Sequence, residues 1–283
     1  METVIVTGAT SGIGLETVRL LASRGYRVLG IGHRPDAILR AENDIQSSVP
    51  QASVRYFCAD LLQQREILHL AGELTSDVET NSHGRLHALI NNAGCARSRY
   101  MTTEDGIEHQ FALNYLSGCL LTRELLPLLL KARGRVIMSC SQSHKGAKVH
   151  WNDLMLRRRY NPLTAYKQSK LCDILFAKAL NDRYRSFGLT AYAVDPGLVN
   201  TDIGSKAGGI VKAVWRLRRR HGVHPRVPAK TYVFLCQEIP RPCGLYYHAC
   251  RAQVPSREVT GEQAGRLLQL SERLCGISFE VPA

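Results

Sequence analysis

The sequence predicts an α/β protein built on a doubly wound, mainly parallel sheet with helices on both faces. Three observations point there. Short β-branched runs alternate with longer stretches of helical period along the 283 residues. The runs Val4-Ile5-Val6 and Val136-Ile137-Met138 are apolar on both faces, as strands covered from two sides require. The first strand runs directly into Thr7-Gly8-Ala9-Thr10-Ser11-Gly12-Ile13-Gly14, a glycine-rich turn at the head of a helix.

Taken in order, seven strands are expected: Thr3–Thr7, Arg27–Ile31, Val54–Cys58, Ala88–Asn91, Arg135–Ser139, Leu189–Val194 and Leu245–His248. Helices are expected between them, near Gly14–Ser23, Asp36–Ser48, Gln63–Glu79, Thr103–Lys131, Thr164–Phe187, Pro228–Gln237 and Glu262–Cys275. Gly25 is placed to stop the first helix. Two connections are long, Gln142 to Leu163 and Gly197 to Val227. Both leave the carboxyl ends of strands, where ligands bind in such sheets, so both are candidate substrate walls. One domain is expected over residues 1–283, with a substrate lid near residues 197–227.

Composition narrows the class. Apolar residues make up 45% and charged residues 22%, an ordinary globular balance that argues against disorder. The nine cysteines include no C-x-x-C pair, so neither a metal site nor a redox dithiol is signalled. Cys58, Cys140 and Cys236 interrupt apolar runs, where a free thiol behaves as a small hydrophobe. The chain opens almost directly on its first strand, with no basic and apolar leader. The greasiest stretch, Leu116 to Leu130, is broken by Arg123, Glu124 and Pro127. A soluble, cytoplasmic protein is the expectation, with its oligomeric state open and homo-oligomers allowed.

The net charge of +13 is concentrated: residues 203–230 hold eight Lys/Arg and no acid. Within that stretch, Ile210, Val211, Ala213, Val214, Trp215 and Leu217 fall on one side of a helical wheel. Lys212, Arg216, Arg219 and Arg220 fall on the other. Such a segment suits a substrate lid, a peripheral membrane contact through residues 210–220, or a solvated basic face over core. No recognised module accompanies the charge, so nucleic acid is not an expected partner.

The glycine turn carries the first chemical argument. Gly8 permits the tight turn, Gly12 lets the backbone approach a pyrophosphate, and Gly14 allows helix and strand to pack closely. The N–H groups of Thr10, Ser11, Gly12 and Ile13 lie where a helix N-terminus meets phosphates. This is the Rossmann-type arrangement. At the end of the second strand, an acid would select NAD through the ribose 2′-hydroxyl. The chain instead reads Gly30-Ile31-Gly32-His33-Arg34, with no acid and two potential cations, which favours NADP(H) over NAD(H). The competing reading makes Arg34 a solvated loop charge ahead of Pro35-Asp36.

Tyr166 and Lys170 carry the second. Four residues apart, they share a helix face. A free tyrosine titrates near ~10, too high for general-base work, and a cation one turn away stabilises the phenolate. Lowering it by about 3 units takes roughly 4 kcal/mol of stabilisation, some of it from an oxidised nicotinamide. The pair follows a strand ending in Ser139-Cys140-Ser141.

Together these features resemble the short-chain dehydrogenase/reductase family over nearly the whole chain. The glycine turn, Asp60-Leu61, Asn91-Asn92-Ala93-Gly94, Asn114, Ser141, Tyr166-x-x-x-Lys170 and Pro196-Gly197 occur in the family's order. The resemblance implies that Asp60, with Leu61 beside it, receives the adenine amino group and that Asn92, Ala93 and Gly94 close over the adenosine ribose. It implies that Ser141 orients the substrate oxygen and that Lys170 holds the nicotinamide ribose while tuning Tyr166. Asn114 would anchor a water, and Pro196, Gly197, Val199 and Thr201 would surround the nicotinamide, Thr201 at its carboxamide. Ser139 competes for the serine role, and family spacing favours Ser141. Asp195 departs from the Asn or His of many relatives, which leaves the local hydrogen bonding open.

The tail, Gly244-Leu245-Tyr246-Tyr247 and the helix ending at Gly276-Ile277, is similar to the retinol-dehydrogenase-like subgroup. An NADP(H)-dependent oxidoreductase acting on an apolar carbonyl or alcohol is therefore expected: a retinoid-, steroid- or lipid-like aldehyde or ketone. Trp151, Leu154, Met155, Val211, Val214 and Trp215 are candidate linings. The rival is a non-catalytic dinucleotide-binding sensor or scaffold, which has no need of all four of Asn114, Ser141, Tyr166 and Lys170.

Overall fold

The computed structural model describes residues 1–199, 222–237 and 243–280. Strand alternation sets up its layers. On β1 (Thr3–Thr7), Val4 and Val6 point to one side of the sheet and Ile5 to the other, all of them 0% exposed. The same alternation runs through β2 (Arg27–Gly32), β4 (Leu86–Asn91), β5 (Arg135–Ser139) and β6 (Thr190–Asp195). Two cores result, one on each face. The Val4 side is covered by α1 (Gly12–Ala22), α2 (Pro35–Ser48) and α8 (Arg226–Gln237). The Ile5 side is covered by α3 (Gln64–Ser82), α7 (Pro162–Tyr184), α9 (Gly261–Cys275) and a broken helical run between residues 109 and 132.

With β3 (Val54–Cys58), β7 (Tyr246–His248) and β8 (Arg251–Gln253), the sheet has the order β3-β2-β1-β4-β5-β6-β7-β8. Neighbours are parallel except β7 and β8. Because β1 pairs with both β2 and β4, the chain winds outward in two directions from it. The crevice at that switch point opens over the glycine turn.

The sheet has eight strands, not the expected seven. β8 returns against β7 through a two-residue turn in which Ala249 (φ 47°) and Cys250 (φ 61°) are both left-handed. That is the geometry Asn-Gly ordinarily announces, and Ala-Cys carries no such signal.

The long helix expected from Thr103 to Lys131 also divides. Gly106 turns at φ +75°, and Glu108 caps α4 (His109–Phe111) by accepting from the Phe111 N–H at 2.8 Å. A π-helical turn follows over Ala112–Leu116, then α5 (Ser117–Glu124) and α6 (Leu126–Ala132). Pro127 lacks the N–H a continuous helix needs, and the chain breaks at Leu125 just ahead of it.

Leu154 and Met155, expected to line a substrate pocket, are buried in the Ile5-side core. Met155 Sδ accepts from the Glu108 N–H at 3.3 Å, and Trp151 packs against the same core with the Arg266 guanidinium 4.4 Å from its ring centre. Val211, Val214 and Trp215, the basic segment 210–220 and most of the expected lid lie outside the described residues. The described ends of that segment are joined: Val199 bridges Val223, and the Val223 N–H donates to the Leu198 carbonyl at 2.9 Å. No helix among the described residues is long and apolar enough to cross a membrane.

Candidate active site

At the switch point lies a cavity of about 470 Å³ whose walls come from four loops together with Leu113 and Pro225. Gly8, Thr10, Ser11, Gly12 and Ile13 form its floor, and His33 follows from the end of β2. Asp60 and Leu61 stand after β3; Asn92, Ala93 and Gly94 stand after β4.

The glycines do what the spacing implies. Gly8 and Gly12 have φ +63° and +56°, and a Cβ on Gly14 would sit 2.1 Å from the Gly8 carbonyl oxygen. Helix α1 has no side-chain cap from Ser11 and no acid in its first turn, so its N-terminal N–H groups remain for an anion. This cradle fits a dinucleotide pyrophosphate. Thr7 holds the opposite wall: its hydroxyl accepts from the Asn92 and Ala93 N–H groups, both at 2.9 Å. The Asn92 amide donates back to the Thr7 carbonyl at 3.0 Å. Thr7 opens the Thr-Gly-x-x-x-Gly-x-Gly turn, and its hydroxyl ties that turn to the loop after β4.

Gly32 stands where an acid would select NAD, and it is closely packed. A Cβ on Gly32 would meet Thr10 Cγ2 at 2.5 Å and Ile38 at 2.9 Å. His33 and Arg34 are exposed. Arg34 opens α2 as its N-cap, 3.9 Å from the Asp36 carboxylate, and is not among the cavity walls. Asp60 accepts from the Leu62 N–H at 3.0 Å, which orders the loop beside the cavity.

Past Gly94 the groove meets a cluster of polar side chains. A Cβ on Gly94 would lie 3.2 Å from Asn114 Oδ1 and 3.9 Å from Lys170 Nζ, so glycine is what joins the two regions. Asn114 projects from the π-helical turn, a distortion that frequently marks functional positions. Its side chain accepts from the Cys95 N–H at 2.7 Å and donates to the Cys95 carbonyl at 3.1 Å and to Ser169 Oγ at 2.9 Å. The chain itself therefore satisfies the amide expected to hold a water.

Tyr166 and Lys170 face the cluster from α7, which Asn161 caps by accepting from the Leu163 and Thr164 N–H groups. The Tyr166 hydroxyl is hydrogen-bonded to the Ser141 side chain. Lys170 Nζ lies 5.9 Å from the centre of the Tyr166 ring and donates to the Ser139 carbonyl at 2.7 Å and to Asp173 Oδ2 at 2.9 Å. Burial works against the ammonium, but Asp173 and Tyr166 outweigh it and hold Lys170 above its ordinary pKa. Tyr166 is also held above its ordinary value, by burial first, against the downward pull of Lys170. The lowered tyrosine expected from the motif is thus absent in the chain alone.

The two serines separate. Ser139 is the last residue of β5, and its hydroxyl pairs with Tyr232 at 2.7 Å. Ser141 caps the short turn Gln142–His144 and meets Tyr166. His144, which the sequence reading did not mark, secures that turn while fully buried. Its Nε2 accepts from the Ser256 N–H at 3.1 Å, so Nδ1 carries the proton donated to the Ser141 carbonyl at 2.7 Å. Asp195 resolves its own question: it accepts from the Gly197 N–H at 2.9 Å and from the Tyr246 hydroxyl at 3.2 Å, bracing the Pro196-Gly197 turn. Val199 lies at the end of this described stretch, and Thr201 lies outside it.

Residues 2–208 match the family model of the short chain dehydrogenases. The chain belongs to that family. Mouse Retinol dehydrogenase 13 is 34% identical to this short chain dehydrogenase over 292 residues, covering 98% of the chain and 85% of its own length. Mouse Retinol dehydrogenase 12 is 34% identical over 286 residues, covering 99% and 88%. Among solved structures, an uncharacterised protein from Mycobacterium paratuberculosis superposes with a TM-score of 0.72 at 26% identity, covering 99% of this chain and 96% of that one. A short-chain dehydrogenase from Sphingobium yanoikuyae in complex with NADPH shares the fold at a TM-score of 0.67 and 19% identity, over 100% and 98% of the two chains.

Proposed function

We propose that this short chain dehydrogenase is an NADP(H)-dependent alcohol/carbonyl oxidoreductase for apolar substrates, with Tyr166 as general acid/base. The observation that carries the reading is the cluster of Ser141, Tyr166 and Lys170, joined with Asn114 through Gly94 to an anion-ready glycine groove.

The nicotinamide cofactor, when bound, supplies or accepts the hydride. The chain supplies the rest. In reduction, the Tyr166 phenol gives its proton to the carbonyl oxygen, and the Ser141 hydroxyl donates a hydrogen bond to the same oxygen. The charge of Lys170 stabilises the phenolate left behind. Oxidation reverses the proton's path. Thr10, Ser11, Gly12 and Ile13 would hold the pyrophosphate, and Asp60 and Leu61 the adenine. His33 and Arg34 would meet a 2′-phosphate, a preference supported by the absence of an acid from Gly30-Ile31-Gly32-His33-Arg34.

The substrate class, a retinoid-, steroid- or lipid-like aldehyde or ketone, is supported by the similarity to the retinol dehydrogenases. A reducing, cytoplasmic setting is part of the proposal, supported by nine free cysteines, two of them exposed. A screen of NADPH consumption over retinal, ketosteroids, aliphatic aldehydes and small sugars tests the substrate class. Activity on retinal or another apolar carbonyl is expected; activity confined to sugars would remove the class.

A further inference from the structure

We propose that Asp173 is a positioning residue of the catalytic centre, whose carboxylate holds the Lys170 ammonium and sets how much of its charge reaches Tyr166. The inference rests on the reading of Tyr166 as the proton-transfer residue.

Asp173 lies one helical turn beyond Lys170 on α7 and is 0% exposed. One oxygen, Oδ2, takes the lysine at 2.9 Å. The other, Oδ1, has no partner among the described residues. A buried carboxylate with half its acceptor capacity idle is a poor way to fill a core, and an apolar side chain of similar volume serves a scaffold better. The groups facing it are few. Lys170, Tyr166 and Cys172 come from α7, Cys140 follows β5, and Tyr232 reaches in from α8. Asp195, at the end of β6, acts on Cys140 and Tyr232 from the far side. Burial pushes both thiols and the Tyr232 phenol upward, which keeps them neutral. Lys170 is thus the cation that Asp173 answers.

Opposite charges this close cancel part of each other's field at a third group. With Asp173 ionised, the phenol feels a lysine partly offset; a neutral side chain at position 173 removes that offset, while the Ser139 carbonyl still accepts from the ammonium. Burial pushes the Asp173 carboxyl upward, against the pull of Lys170. Asp173 thereby opposes premature ionisation of Tyr166 and keeps its proton available for transfer to a carbonyl.

The test is a pH titration of the full-length protein labelled with ¹³Cζ-tyrosine, read by NMR. The resonance missing from Tyr166→Phe identifies Tyr166. Asp173→Asn, which keeps the shape and an acceptor for Lys170, is expected to lower the Tyr166 midpoint by about one pH unit. Asp173→Ser provides a second neutral variant should the first fold poorly, with the same downward shift expected. An unmoved or raised midpoint, no titration in either protein, or failure of both variants to fold would overturn the proposal. Lost turnover in Tyr166→Phe with an unmoved midpoint in Asp173→Asn would sink this inference alone. Full turnover in Tyr166→Phe with a lowered midpoint would sink the reading of Tyr166 instead.

Discussion

Gly14 shows what a single residue decides here. Its missing side chain lets α1 approach the carbonyl of Gly8, and a methyl group would meet backbone, which cannot move aside cheaply. Gly14→Ala is expected to cost about 1–3 kcal/mol by urea unfolding and to weaken NADPH binding as the turn shifts. Stability and affinity both unchanged would mean that the close packing is dispensable. At the cofactor's other end, NADPH is expected to bind at least ~10-fold tighter than NADH, a difference of about 1.4 kcal/mol. Arg34→Ala should erase most of it through the lost charge-assisted contact. Equal titrations of both cofactors against wild-type protein would contradict the assignment. These residues were readable in the sequence because glycine and charge at fixed spacing carry their own physical reasons. Asp173 and His144 were not. Each is a polar residue in an otherwise ordinary stretch, and only tertiary packing brings it to Lys170 or Ser141.

At the scale of elements, strands with two buried faces were read nearly to the residue, since an apolar run between turn signals has few alternatives. One miss came where backbone geometry contradicts residue type. The β7–β8 turn places Ala249 and Cys250 in a region that suits glycine and asparagine, so no sequence cue marks it. Ala249→Gly should therefore stabilise the protein by about 1 kcal/mol in urea unfolding, by relieving left-handed strain. A loss of stability would place the turn in a different conformation. The divided helical run had visible cues in Gly106 and Pro127, but its apolar period continued across both. The π-helical turn at Asn114 has no local sequence signature; the Cys95 backbone and Ser169 engage its side chain through tertiary contacts.

Across the whole molecule, two apolar cores clamp one sheet, and the chemistry sits at the carboxyl ends of its strands. The cofactor groove and the tyrosine cluster meet at Gly94, so binding and proton transfer are separable in principle. That separation gives the most direct test of the account. Tyr166→Phe removes one oxygen atom and leaves the glycine cradle, Gly32 and Asp60 untouched. NADPH affinity and turnover of a reducible carbonyl, retinal first, are to be measured together. The account predicts NADPH binding within a few-fold of wild type and turnover reduced by roughly 10²-fold or more. Wild-type turnover in Tyr166→Phe would contradict it.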